Sequence, residues 1–208
     1  GVGKQGEVAI PQGALVHDLP EAAIIPGLVD THSHIGIWSR PSVPANADGN
    51  ESSGPVQPAL RALDAIHPND PGIRMAVAGG VTTANIMPGS GNVIGGQTLY
   101  VKLRGETIEA MRIVDDKTLG GLKMANGENP KGYGRRGQAP FTRMKIAALQ
   151  REQFIKAREY QQKWQRYRDA TAKGEKAAPG EADISLAARG EALARKRAAH
   201  SHCPGAGH

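Results

Sequence analysis

Two histidines stand one residue apart in "GLVDTHSHIG" (27–36), as His32 and His34. On an extended strand end, residues two apart point to the same side. Two imidazoles placed so can grip one divalent ion, and Asp30 is in phase with them. Alone, the pair reads equally as two polar residues in a turn, and at this point the choice stays open. Lys123 closes the run "GLK", and its alternatives are a solvent-facing amine or a partner of Glu128. His200 and His202 repeat the spacing of two in "AAHSHC". Asn92 and Gln97 bracket the glycines of one loop, while Asn126, Glu128 and Asn129 lie in another. These polar residues suit the orientation of a substrate, and equally the needs of tight turns. Arg135 and Arg136 read as a solvated pair rather than a carboxylate clamp. His17 and His67 read as structural.

The elements that must position these residues follow from pattern. Residues 7–29 hold short apolar runs, "EVAI", "GALVHDLP" and "AAIIPGLV", which predict small strands. A Pro-, Gly-, Ser- and Asn-rich loop is expected over 36–58; unstructured loops of this length are usually functional or disordered. "QPALRALDAI" (57–66) has helical spacing. "DPGIRMAVAGG" (70–80) predicts a second helix, capped by Asp70, with Pro71 in the first turn and Gly79–Gly80 at its end. The β-branched "VTTANIM" (81–87) predicts a buried parallel strand. The Gly-rich loop 88–97 follows, then a strand (98–103), a short helix (105–114), a strand weakened by glycines (119–125) and a second long loop (126–140). A long charged helix is expected over 141–172, a linker over 173–181, and a helix capped by Asp183 over 184–196. Strands alternating with helices predict an α/β fold with a parallel sheet.

Composition narrows the functional classes. The chain has 208 residues and a net charge of +6. Residues 1–130 carry 9 basic and 13 acidic side chains, and residues 131–200 carry 17 and 7. Such asymmetry suits an acidic partner, and a nucleic-acid-associated role through the basic helix 141–172 is one reading. Base-reading and base-stacking motifs are missing, so a solvated helical face is the favoured one. No run approaches the ~20 apolar residues of a membrane span. The single cysteine, Cys203, excludes an internal disulfide. The N-terminus shows no signal peptide and begins as if within a domain, so the compartment stays unassigned.

Three motifs together carry a resemblance. "PGLVDTHSHIG" resembles the first-strand motif PGxxDxHxH of the amidohydrolase superfamily. The likeness continues, in the expected order, through "AGGVTTANIMPGSGNVIGGQ" and "GLKMANGENPKGYG", and is similar to the imidazolonepropionase-like and prolidase-like branch. It runs from about Ile10 to Cys203. It implies a (β/α)8 barrel of TIM type, with residues 1–26 as the remnant of a small β-sandwich and 27–208 as barrel. It implies a hydrolase acting on an amide-type C–N bond of a cyclic amide or small peptide, with one or two divalent metal ions. By that resemblance His32 and His34 hold the first metal, Lys123 is carboxylated and bridges, and His202 holds the second. A lysine beside metal ions does not comfortably stay a cation, and carboxylation makes it an anion. Zinc is the default ion for imidazole and carboxylate ligands. Asn92, Gln97, Glu128 and Asn129 then face the active mouth and touch substrate.

The likeness also implies parts that have no counterpart here. The family's later strands bring another histidine and an aspartate that serves as general base and metal ligand, and this chain stops at "PGAGH". About five of eight strands are accounted for, against ~250 residues for a complete barrel. The expectation is therefore an incomplete, weakly active or inactive portion, with no complete catalytic set. General-base loss typically costs ~10²–10⁴-fold. An open parallel edge invites poor stability or self-association into a homo-oligomer. A non-catalytic binding protein on a degenerate hydrolase fold is the alternative.

Overall fold

The computed structural model describes residues 3–4, 6–115, 120–180, 182–193 and 199–202. Cys203, His208 and the expected helix end at 194–196 lie outside these residues.

Among the described residues, six strands and four α-helices follow one another along the chain. Strand β1 (Leu28–Ser33) leads into the long loop, helix α1 (Pro71–Ala78) and strand β2 (Val81–Ile86). Strands β3 (Ile94–Gln97) and β4 (Leu99–Lys102), helix α2 (Ile108–Met111) and strand β5 (Leu122–Ala125) come next. Helices α3 (Arg143–Ala172) and α4 (Ile184–Leu193) and strand β6 (Ala199–His202) complete the order. The β-strands form two three-stranded sheets, β1-β2-β4 and β3-β5-β6.

The expected parallel sheet is realised only in part. β1 pairs parallel with β2, and β5 pairs parallel with β6. β2–β4 and β3–β5 are antiparallel. The reason is the short return between β2 and β4. Residues 87–98 contain no crossover helix, and without one a neighbouring strand can only come back antiparallel. Within that return, "IGGQ" forms β3, where the sequence predicts loop.

Three further expectations give way. Among the described residues before Leu28 there is no strand, and Leu15, Val16, Ile24 and Ile25 are exposed. Short apolar runs need a pairing strand to satisfy their backbone groups, and none of the described strands reaches them. "QPALRALDAI" forms only a 3-10 turn at Ala62–Ala65. Its backbone instead bridges β3 and its neighbourhood, through Val56 with Ile94 and Arg61 with Gln97. The loop 126–140 holds 3-10 turns over Asn129–Arg136.

Helices α1 and α4 start where Asp70 and Asp183 predict, and α2 and α3 start a few residues later than expected, behind Thr107 and Thr142. The Asp70 carboxylate accepts from the Gly72 amide at 2.9 Å, and Thr107, Thr142 and Asp183 cap α2, α3 and α4 in the same manner. α1 and α2 bury Ile73 and Met111 against Ala84, Ile86, Val101 and Leu103 of the first sheet, with Ile37 and Ile66 from the loop. α3 closes the second sheet by placing Ile146 on Val93, Ile94, Leu122 and Met124, flanked by Leu149 and Phe154. Further along, α3 packs on α4, and Tyr160, Trp164 and Tyr167 meet edge to face. Only Ile146 and Ala157 of α3 are fully buried, so most of its charge is solvated. None of the helices among the described residues is long and apolar enough to cross a membrane.

Candidate metal centre

His32 lies near the end of β1 and His34 directly follows it, and the extended backbone brings the two rings together. The His32 and His34 centroids are 5.2 Å apart and nearly perpendicular. Asp30, expected in phase with them, turns back on its own strand and accepts from the His32 amide at 3.0 Å. His34 Nδ1 lies 2.7 Å from the Met87 carbonyl oxygen. A carbonyl can only accept, so Nδ1 carries the proton and Nε2 carries the ring's lone pair. That is the tautomer a metal-binding imidazole needs. The Trp38 ring stands edge-on to His34, with centroids 4.9 Å apart.

Lys123 comes to this pair from the other sheet. It is fully buried, and its Nζ lies 3.2 Å from His32 Nε2 and 3.4 Å from Met87 Sδ. Neither neighbour is an anion, and among the described residues no carboxylate pairs with this amine. Burial pushes its pKa down to about 8. An amine held near neutrality in a buried site is a better nucleophile toward carbon dioxide than a solvent-exposed lysine. The alternatives read from the sequence, a solvent-facing lysine or a partner of Glu128, are both excluded. Glu128 lies on the surface, bound to Lys131 and Arg143, and Lys131 first and then Arg143 keep its carboxyl below the usual range.

The donors present fit a divalent metal. Two imidazoles and a buried lysine with no carboxylate paired to it among the described residues make a set that carboxylation of Nζ would complete with oxygen ligands. Among the described residues, no group of three or more His, Cys, Asp and Glu stands together, so the cluster rests on the lysine. β6 runs parallel to β5, and the register sets His200 beside Lys123 and His202 beside Ala125. The backbone thus brings the second histidine pair to the strand that carries Lys123.

The other residues expected at the mouth are spread differently. Asn92 is 1% exposed, and its Nδ2 donates to the Glu51 and Gly54 carbonyls and meets Tyr133 Oη at 2.8 Å. It ties the loop after β2 to the loop after β1. Gln97 reaches the Pro58 carbonyl, and Asn129 donates to Ser90 Oγ at 3.0 Å. Glu128 is engaged as described. Asn92, Gln97 and Asn129 tie neighbouring segments of the chain together, and Glu128 pairs with Lys131 of its own loop and Arg143 of α3.

Sequence reasoning missed Met87, Trp38 and Tyr133. Met87 touches both His34 and Lys123. Tyr133 is buried among the glycines of "PKGYGRRG", and its hydroxyl donates to the Glu51 and Gly54 carbonyls, 2.6 and 2.8 Å away. Its signal was a lone aromatic in a Gly-rich loop of a chain with four tyrosines.

A cleft of about 450 Å³ is lined mainly by residues 47–51 and 60–67, and its lining includes none of His32, His34 and Lys123. Ile37, Glu51, Leu60, Ile66, Pro88 and Gly95 are among its lining, and Gly95 abuts the stem of Lys123.

No family model matches the chain. The chain is 38% identical over 144 residues to the amidohydrolase tasK of Hapsidospora irregularis, a match covering 65% of this chain and 15% of that protein. The crystal structure of an amidohydrolase from Thermotoga maritima MSB8 superposes with a TM-score of 0.75 and 39% identity, covering 91% of this chain and 50% of that one. The chain thus spans about half the length of the solved relative and a smaller share of the curated one. In sequence and in fold alike it is similar to two proteins named amidohydrolases.

Proposed function

We propose that this chain carries the first metal-binding half of a hydrolase that cleaves an amide-type C–N bond in a cyclic amide or a small peptide. The observation that carries the reading is Lys123: a fully buried amine, within hydrogen-bond distance of His32 and with no carboxylate paired to it among the described residues. His32 and His34 would hold the first divalent ion, carboxylated Lys123 would bridge, and His202 would serve the second. When bound, such ions supply Lewis acidity at a carbonyl and acidify water. Zinc suits the donors.

The chain's own residues prepare the site. The Met87 carbonyl fixes the His34 tautomer, so that ring needs no proton transfer before it can bind. Trp38 covers the edge of the same ring and keeps water from one side of it. Lys123, with its pKa near 8, holds a substantial neutral fraction at the pH where carbon dioxide adds to an amine. The cleft beside Gly95 is large enough for a small amide. The branch of the superfamily resembled by the motifs belongs to this same reading.

Metal content of the purified protein tests it. Wild type is expected to retain or take up zinc that His32→Ala and Lys123→Ala lose. Equal content in all three would remove the site.

A further inference from the structure

Asp70 does more than cap a helix. It is 4% exposed, and its carboxylate accepts from three backbone amides in three places. Oδ1 takes Gly72, the start of α1, at 2.9 Å, and Arg40 at 3.1 Å. Oδ2 takes Gly36 at 2.8 Å. Gly36 and Arg40 belong to the bend that leaves β1 directly after His34. The same bend is held from the other side, because the His67 amide donates to the Gly36 carbonyl at 2.9 Å. Inside it, the His34 carbonyl accepts from the Ile37 and Trp38 amides. Trp38, between the two clamped residues, stands against the His34 ring. Gly36 has φ +82°, and a Cβ there would sit 3.1 Å from Ile66 Cγ2, so the bend has one permitted residue at its tightest point.

Resting on the metal-site reading above, we propose that Asp70 is a positioning residue for the His32/His34 pair. By clamping the Gly36 and Arg40 amides it sets the bend on which His34 and Trp38 stand, and with it the aim of His34 Nε2. The rest of the molecule gives this carboxylate no other use, since a helix N-terminus needs only one of the three contacts.

The test separates capping from clamping. Asp70→Ser keeps an N-cap oxygen for Gly72 but is too short to span to Gly36 and Arg40. Asp70→Asn keeps Oδ1 for Arg40 and Gly72 and loses the Gly36 contact alone. Cobalt(II) serves as the probe, read by its visible absorption and by titration, with His32→Ala as the site control. Asp70→Ser is expected to bind cobalt ~10–100-fold more weakly, the range seen for lost outer-shell partners, with an altered spectrum. Asp70→Asn is expected to fall between it and wild type, and it carries the test if the serine variant does not fold. Ile73→Val loosens α1 without touching the clamp and is expected to leave affinity and spectrum unchanged. Wild-type affinity and spectrum in the Asp70 variants would overturn the inference, as would an equal loss in Ile73→Val. Wild type binding no more cobalt than His32→Ala would overturn the metal-site reading itself.

Discussion

Lys123 Nζ stands 3.2 Å from His32 Nε2, although the two residues are 91 positions apart and belong to different sheets. The contact joins the two sheets where a buried amine faces an imidazole. It turns a histidine pair at the end of one strand into a three-residue cluster.

The burial of Lys123 makes the metal-free protein pH-sensitive. Burial lowers the Lys123 pKa from 10.5 to about 8 in the folded chain. Between those values the unfolded chain binds the extra proton, so folding stability rises with pH across that window and is lowest below it. The full change is about 3 kcal/mol at 1.36 kcal/mol per unit. Chemical denaturation of metal-stripped protein at a series of pH values checks this. Lys123→Met should abolish the slope and stabilise the stripped protein at neutral pH, because it removes a buried charge. With metal present the same substitution should weaken binding.

Tyr133→Phe should loosen the loop that follows β1. The hydroxyl serves the Glu51 and Gly54 carbonyls and meets the Asn92 amide, all buried or half-buried. Leaving these groups short of a partner costs about 1–3 kcal/mol. Faster proteolysis within residues 50–55 and a lower melting temperature are the expected readouts. Asn92→Ala should act on the same loop, and the double variant should cost less than the two single losses added together.

Gly96→Ala should destabilise by roughly 2–4 kcal/mol. Gly96 has φ +124°, and a Cβ there would lie 2.6 Å from the Leu60 carbonyl oxygen. That oxygen already accepts from the Gln97 amide at 2.7 Å, so it has little freedom to retreat. Since β3 pairs with the strand of Lys123, metal affinity should fall with stability. A thermal melt of the stripped protein and a zinc titration read the two effects.

How much was legible in the sequence depends on how local the cause was. Asp70, Pro71 and Gly79 announced α1, because a cap and a stop act within one turn. The spacing of His32 and His34 announced that their rings would meet, because strand geometry alone decides it. The long helix and its solvated charge followed from composition. The strands expected before Leu28 failed because pairing is not local. The antiparallel turns at β4 and β3 were hidden for the same reason, since "IGGQ" has neither the length nor the branching of a typical strand. The resembling motif pointed to Lys123, which the structure places 3.2 Å from His32. Met87 and Trp38 were not foreseen, because a methionine and a tryptophan give no sign of what they will touch. Asn92 and Glu128 were read as facing the mouth, and the structure shows their partners in the chain, Glu51 and Gly54 for the first and Lys131 and Arg143 for the second, which loop polarity does not reveal.

The most direct test of the account is a crystal of the protein soaked in zinc and measured at the zinc absorption edge. The account predicts an anomalous peak between the His32 and His34 rings, accompanied by density extending from Lys123 Nζ, and loss of the peak in His34→Ala. Zinc found only elsewhere on the surface, with Lys123 still against His32, would contradict it.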